Sequence, residues 1–276
     1  MPMKLLHLTD IHLTTPGQTI AGRDPNANFQ AAVDHALAHH PDAELMAITG
    51  DLSDWGDRAD YERLRELIEG IPMPVALCIG NHDDRPTFLE VFPEYAGEGG
   101  FVQTVRETSA GRCLFLDTWG PQTHEGHYCA ARQAWLEEQL AASERPVFLF
   151  MHHNPVPTHV APLDEIRLKD DVAFRRIVAR HRDKVRHVFH GHCHLPMAGS
   201  AGGVPVTSLR GTNHAGFANF AEMSLLTGSD LPPAYGVAFV ADDYVTVHMV
   251  EFGYDGELWA ENAPDYASWD RATMVR

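Results

Sequence analysis

The sequence predicts a layered α/β fold, and three observations carry that reading. Short apolar runs alternate with longer stretches of helical periodicity, the pattern of a chain that lays helices over a sheet. Several of those apolar runs stop abruptly at glycine or at Asp, Asn or His. After Ala198 the helical pattern gives way to short strands and glycine turns, which adds antiparallel pairing.

Lys4–Leu8 is the first strand, and Asp10 and His12 follow its end. In an extended segment residues i and i+2 face the same way, so these two can grip one ion together. Pro25–His40 carries Phe29, Val33 and Leu37 at helical spacing. Its His35, His39 and His40 are expected at the surface rather than in a site. Leu45–Thr49 is the second strand; it breaks at Gly50 and delivers Asp51 to the carboxyl edge of a sheet, where open α/β folds keep their ligands. Asp60–Gly70 is a helix with Tyr61, Leu64, Leu67 and Ile68 inward and Gly70 as its stop.

Pro74–Ile79 is a third strand running into Gly80-Asn81-His82-Asp83, and the helix Pro86–Phe92 follows. Phe101–Glu107 and Cys113–Asp117 form a hairpin through Gly111. A polar loop, Thr118–Tyr128, holds His124 and His127 before the helix Ala131–Ala141. Pro146–Met151 is a strand that leads into His152-His153-Asn154-Pro155. The helix Val172–Ala179 precedes the strand Val185–Phe189, which ends in His190-Gly191-His192-Cys193-His194. Val204–Leu209 is a further strand, and Gly236–Val240 with Tyr244–Phe252 is a hairpin across Asp242-Asp243. Leu258–Arg276 sets Trp259, Tyr266 and Trp269 among charges, and is expected to pack on its own domain or on a partner subunit.

The 276 residues, 44% hydrophobic, suffice for one large domain or a domain with a cap. A net charge of −17 argues against a nucleic-acid polymer and against anionic membranes, since both call for clustered Lys and Arg. The 18 histidines nearly match the 21 Lys and Arg, which directs the search to metal. Four cysteines form no Cys-x-x-Cys pair, and Cys78 and Cys113 read as small buried hydrophobes. The N-terminal stretch is too short and too soon charged for a signal peptide, and no apolar run reaches the length of a membrane span. A cytoplasmic, reducing environment is the expectation.

Five strand ends thus supply Asp10 and His12, Asp51, Asn81 and His82, His152, and His192 with His194. The series Asp-x-His (10–12), Gly-Asp-x-x-Asp (50–54), Gly-Asn-His-Asp (80–83), His-His (152–153) and Gly-His-x-His (191–194) resembles the calcineurin-like metallophosphoesterase superfamily, in that family's order, over about residues 4–194. Gly22, Asn28 and the Gly-Thr-x-His at Gly211–His214 resemble its bacterial cyclic-nucleotide and glycerophosphodiester phosphodiesterase branch.

The resemblance implies a four-layer α/β/β/α sandwich of two mixed sheets with a dinuclear metal site at the strand ends. It places the core in residues 1–200, with 201–276 adding the remaining strands and a cap or oligomerisation segment. The first metal takes Asp10, His12, Asp51 and His194, the second Asp51, Asn81, His152 and His192. Asp51 has two oxygens and can bridge. Nitrogen and oxygen donors without thiolate suit Fe, Mn, Co or Zn. Cys193, between two ligands, is expected to point away. Two ions about 3.5–4 Å apart clamp an in-line displacement at phosphorus. Two carboxylates against two divalent ions leave surplus positive charge to activate water and attract phosphate.

On this reading a metal-activated hydroxide attacks a small phosphodiester, His82 is the general acid and Asp83 orients it. Asn81, His82 and His214 face the substrate. Asp54 is supporting, and His153 stands open between site contact and packing. The loops Thr118–Tyr128 and Pro155–Lys169 and the segment after Gly211 are expected to set selectivity, and the chain is expected to form a homo-oligomer. The alternatives are a phosphomonoesterase or protein phosphatase of the same fold, and an inactive binding scaffold.

Overall fold

The computed structural model describes residues 2–259; Tyr266 and Trp269 of the aromatic stretch lie outside the described residues. The first half runs β1 (Met3–Leu8), α1 (Pro25–His39), β2 (Leu45–Thr49), α2 (Arg58–Glu69), β3 (Val75–Cys78) and α3 (Arg85–Val91). The second runs β4 (Thr104–Thr108), β5 (Gly111–Phe115), α4 (Ala130–Ala142), β6 (Val147–Phe150), α5 (Ala161–Glu165), α6 (Asp171–Arg180) and β7 (Val185–His190). The chain ends in β8 (Met197–Ala201), β9 (Val204–Ser208), β10 (Ala215–Gly216), β11 (Gly228–Ser229), β12 (Ala234–Val240) and β13 (Val245–Glu251).

These strands form two mixed sheets, ordered β13-β12-β1-β2-β3 and β4-β5-β6-β7-β9-β8, with β10 and β11 as a separate short ladder. β1, β2 and β3 run parallel, as do β5, β6, β7 and β9. Strand alternation sorts their side chains into layers. Leu5, Leu45 and Ala76 face Cys113, Phe148 and Phe150 across the sheet–sheet interface. There Phe115, Phe150 and Phe189 stack with centroids 4.7 and 4.8 Å apart. Leu6, Met46 and Leu77 point the other way, under Phe29 of α1, Leu64 of α2 and Phe88 of α3. Leu114, Leu149 and Val188 do the same beneath Leu136 of α4 and Phe174 of α6. The result is the expected α/β/β/α sandwich.

Helix starts follow local chemistry. The Asp24 carboxylate accepts from the amides of Asn26 and Ala27 ahead of Pro25, and Asp84 accepts from Thr87 N–H at the head of α3. The elements absent from the sequence reading, α5, β8 and the two-residue strands β10 and β11, are short or weakly patterned. Strand β8 is Met-Ala-Gly-Ser-Ala, poor in the β-branched and aromatic residues that mark strands, and α5 is too short for periodicity to register.

A boundary at residue 200 falls inside β8 and cuts it from β9, its antiparallel partner. β9 also pairs with β7, and β12 pairs with β1 from Met3↔Val240 to His7↔Gly236. Of the strands beyond residue 200, β9 therefore belongs to one large sheet and β12 and β13 to the other.

Candidate metal centre

The parallel strands of both sheets bring their carboxyl ends to one side, and the proposed ligands sit just past those ends. The loop after β1 follows the loop after β2 through Asp10 N–H to Gly50 O at 3.1 Å and His12 N–H to Asp51 O at 2.8 Å. Gly191 N–H to His152 O at 3.0 Å joins the ends of β7 and β6 in the same way. The ligands do not lie on extended backbone. Asp10, His12, Asp51, His192 and His194 all have φ between 47° and 70°, the left-handed region that L residues seldom enter. The i, i+2 argument for Asp10 and His12 is thus corrected: β1 ends at Leu8, and two left-handed residues turn both side chains inward.

Glycine makes the close approach possible. Gly50 has φ +92°, and a Cβ there would lie 2.6 Å from His152 Nδ1; at Gly80 a Cβ would overlap Asp51 Oδ1.

Asp51 is central. Its Oδ1 lies 3.3 Å from His152 Nε2, and its Oδ2 lies 3.6 Å from His12 Nε2. On the Oδ1 side, His152 Nε2 is 3.1 Å from Asn81 Oδ1, and its Nδ1 donates to Thr49 O at 2.8 Å. On the Oδ2 side, His12 Nε2 is 3.3 Å from His194 Nε2, which is 3.4 Å from Asp10 Oδ1. Donor atoms of Asp10, His12, Asp51 and His194 fall within 4.8 Å of one another.

The tautomers show that this set fits a cation. A carbonyl or carboxylate oxygen can only accept, so His12 Nδ1 donates to Asp54 at 3.0 Å and His194 Nδ1 donates to His214 O at 3.1 Å. In the neutral rings both Nε2 atoms then carry lone pairs, facing each other at 3.3 Å. Two acceptors at that distance repel, so the pair takes up a positive charge: a proton on His12, which against its burial is held above the usual histidine range by Asp54 and Asp51, or a cation in its place. His192 Nε2 is a buried nitrogen without a hydrogen-bond partner among the described residues, and its lone pair can serve a cation.

Charge follows burial and neighbours. Burial opposes ionisation of Asp51, but His152, His82 and His12 hold its carboxyl well below the usual range. Burial likewise opposes ionisation of Asp10, and His194 and His152 pull its carboxyl down. Burial disfavours a charged His152, yet Asp51 raises it to about 9. His192 is pushed down to about 3 by burial and by His152.

His82 sits on the rim, its ring Nδ1 2.9 Å from Asp54 O and its backbone N–H donating to Asp51 Oδ1 at 2.9 Å. The expected role of Asp83 is corrected. Its buried carboxylate accepts from the amides of Leu52, Ser53 and Gly80 and from Tyr61 OH at 2.7–3.2 Å. It braces the loops after β2 and β3 from beneath, while the Asp54 carbonyl holds the His82 ring. Asp54 is supporting, as expected, through His12.

His214 reaches the site, its ring centroid 4.2 Å from His194 and 5.1 Å from His12. Asn28 secures that segment through bonds of 3.1 Å to Asn213 O and Oδ1. His153 is buried against Thr118 Oγ1 at 2.7 Å, with a ring nitrogen near those of His152 and His192. Cys193 turns away into an apolar cluster with Val160, Leu163 and Leu195. His35 lies far from the centre, bonded to Tyr235 OH at 2.9 Å.

One residue went unmarked. His124 Nδ1 is 3.0 Å from Asn81 Nδ2, which turns Asn81 Oδ1 toward His152. The polar loop that holds it was visible in the sequence, but no spacing singled it out.

A cavity of about 560 Å³ opens over Asp51, Asn81, His82, His192, His194 and His214. Among the described residues no helix is long and apolar enough to cross a membrane.

The model of the calcineurin-like phosphoesterase family matches residues 3–196. A probable cyclic nucleotide phosphodiesterase of Rhodopseudomonas palustris is 37% identical over 263 residues, covering 94% of this chain and 96% of that protein. A glycerophosphodiester phosphodiesterase of Enterobacter lignolyticus is 30% identical over 70% of this chain and 71% of its own length. Among solved structures, a purple acid phosphatase from yellow lupin seeds superposes with a TM-score of 0.63 over 94% of this chain and 53% of its own, at 12% identity. The TT1561 protein of Thermus thermophilus does so at 0.57 over 90% and 99%, also at 12% identity; both share the fold. With the match spanning every strand that delivers a proposed ligand, the chain belongs to the calcineurin-like phosphoesterase family of hydrolases.

Proposed function

We propose that the chain hydrolyses small phosphodiesters, of the cyclic-nucleotide or glycerophosphodiester type, at a centre of two metal ions drawn from Fe, Mn, Co and Zn. The observation that carries this reading is Asp51, whose two oxygens face two separate groups of donors. Asp10, His12, Asp51 and His194 would hold one ion, and Asp51, Asn81, His152 and His192 the other. Bound there, the pair supplies Lewis acidity toward a phosphoryl oxygen and lowers the pKa of water.

The chain's own groups do the rest. His82 Nδ1–H donates to the Asp54 carbonyl, which fixes the ring, and in the doubly protonated imidazolium Nε2–H gives its proton to the departing alkoxide and leaves the ring neutral. The His82 amide ties that acid to the shared carboxylate. His124 orients Asn81, and His214, on the cavity wall, is assigned with Asn81 and His82 to the phosphoryl group.

A diester is favoured over a monoester because, among the described residues, no Lys or Arg lines the cavity to meet a second phosphoryl charge. The names of the relatives support the same choice. The four free cysteines support a cytoplasmic setting, and exposed Phe220, Leu225 and Leu231 support a homo-oligomer. Turnover of a bis-aryl and a mono-aryl phosphate by Mn- and Fe-loaded protein tests the reading. A preference for the monoester of about a hundredfold or more overturns it, and a folded sample that takes up no metal points to a scaffold.

A further inference from the structure

The cavity has two unlike sides. One carries the ligands and His82, His124 and His214; the other is apolar, formed by Val160, Leu163, Ile166, Leu195, Phe217 and Leu226. We infer that this apolar side is a subsite for an uncharged, flat ester group of aryl or nucleobase size, and that Ile166, Phe217 and Leu226 set the preference. The inference rests on the phosphodiesterase reading and narrows it.

The wall is built rather than incidental. Val160, Leu163, Cys193 and Leu195 form a small core of their own, with Ile166 and Ala218 packed on it. The β10–β11 ladder positions the other half, pairing Ala215 with Ser229 and extending through Phe217 N–H to Thr227 O at 2.7 Å. The two halves are tied across by Ala161 N–H to Met223 O at 3.0 Å. Phe217 and Leu226 remain 51% and 63% exposed at the mouth, so apolar surface is left for a ligand to cover.

Chemistry selects the occupant. Among the described residues no Lys, Arg or Glu lines the cavity, and its single Asp is Asp51 at the metal end. A second phosphate would find no cation, and an ammonium head group no carboxylate beyond the centre. A polyol would leave its hydroxyls against Leu163, Ile166 and Leu226, an uncompensated desolvation. A flat uncharged ring can lay its apolar face on these side chains and keep its polar edge toward the open mouth, and the volume suits it.

The test compares metal-loaded wild type with Phe217→Ala/Leu226→Ala and with Ile166→Ser. Turnover is read on 3',5'-cyclic AMP and glycerophosphoethanolamine, and calorimetric affinity on AMP and inorganic phosphate; thermal melting confirms that the variants fold. Wild type should favour the nucleotide in both measures. The double variant should lower the nucleotide-to-glycerophosphodiester ratio of kcat/KM by about tenfold, chiefly through KM, and the AMP-to-phosphate affinity ratio by a similar factor. Ile166→Ser should shift both ratios in the same direction. Ratios that stay within about twofold of wild type, or a wild type that favours glycerophosphoethanolamine, overturn the subsite. A wild type that turns over neither diester sinks the phosphodiesterase reading instead, and the AMP-to-phosphate ratio still decides the subsite.

Discussion

Replacing Asp54 by alanine isolates a carboxylate that touches a proposed ligand without being one. Its Oδ1 receives the His12 Nδ1 proton at 3.0 Å, with the Asp54 side chain only 16% exposed. Its backbone carbonyl separately holds His82 Nδ1 at 2.9 Å. Truncation removes the first contact and keeps the second. A carboxylate on the far nitrogen of a ligating histidine fixes the tautomer and raises basicity, and its loss costs about 10–100-fold in metal affinity. That range corresponds to about 1.4–2.7 kcal/mol. Only the donor group containing His12 is touched, so calorimetric titration of metal-free protein should show one weakened ion and one of wild-type affinity. Asp54→Asn keeps an acceptor oxygen and should recover most of the loss. Saturating metal should restore turnover, because the His82 anchor is intact. The reasoning is refuted if both affinities are unchanged and kcat still falls at saturating metal. Asp54 would then act on His82, whose Nδ1 lies 3.6 Å from the same carboxylate oxygen.

Asp51→Ala should empty both positions and abolish turnover, as elemental analysis of dialysed protein would show; retention of two ions would refute the shared-ligand assignment. His82→Ala should keep both ions and lower kcat by about 10²–10⁴-fold, whereas loss of metal would make His82 a ligand. Gly50→Ala should destabilise the protein by about 2–4 kcal/mol in urea unfolding, since it adds a clash with His152 to a left-handed backbone. Metal-free protein should lose stability as pH rises between about 6.5 and 9. His152, raised to about 9 against an unfolded value near 6.5, contributes stability fully present below 6.5 and lost as pH passes through 9. Metal affinity should rise across the same window, because binding displaces that proton; melting curves of chelated protein and titrations at several pH values check both slopes.

The proposed ligands stood out because most lie beside a glycine or just past an apolar run. The layers were legible because β2 is buried along its whole length, as strands covered on both faces are. Partner choice was not. β12 pairs with β1 from more than two hundred residues away, and nothing in Ala234–Val240 names that partner. Asp54 and Asp83 look alike in sequence, each in a motif beside a proposed ligand. They divide only when backbone amides surround one and the His12 ring meets the other. The apolar wall escaped notice for a similar reason, since Phe217 and Leu226 are brought together by a two-residue ladder too short to signal itself, and Ile166 meets them from the end of the equally short α5.

The left-handed backbones bear on why Asp and His occupy these positions. Five of the seven proposed ligands hold φ between 47° and 70°, each at a cost of about 1 kcal/mol or more. Their sum approaches the low end of a domain's whole stability, about 5–15 kcal/mol. Folding alone offsets part of it through hydrogen bonds such as His12 N–H to Asp51 O and His192 N–H to Asp10 Oδ1. An ion that bound only the folded chain would add stability that grows with the logarithm of its concentration over Kd. Asp and His are also among the non-glycine residues that tolerate this region best. A longer Glu would hold the backbone less well and place its carboxylate farther from the strand end. The strand ends thus use residue types that suit both a left-handed backbone and a cation.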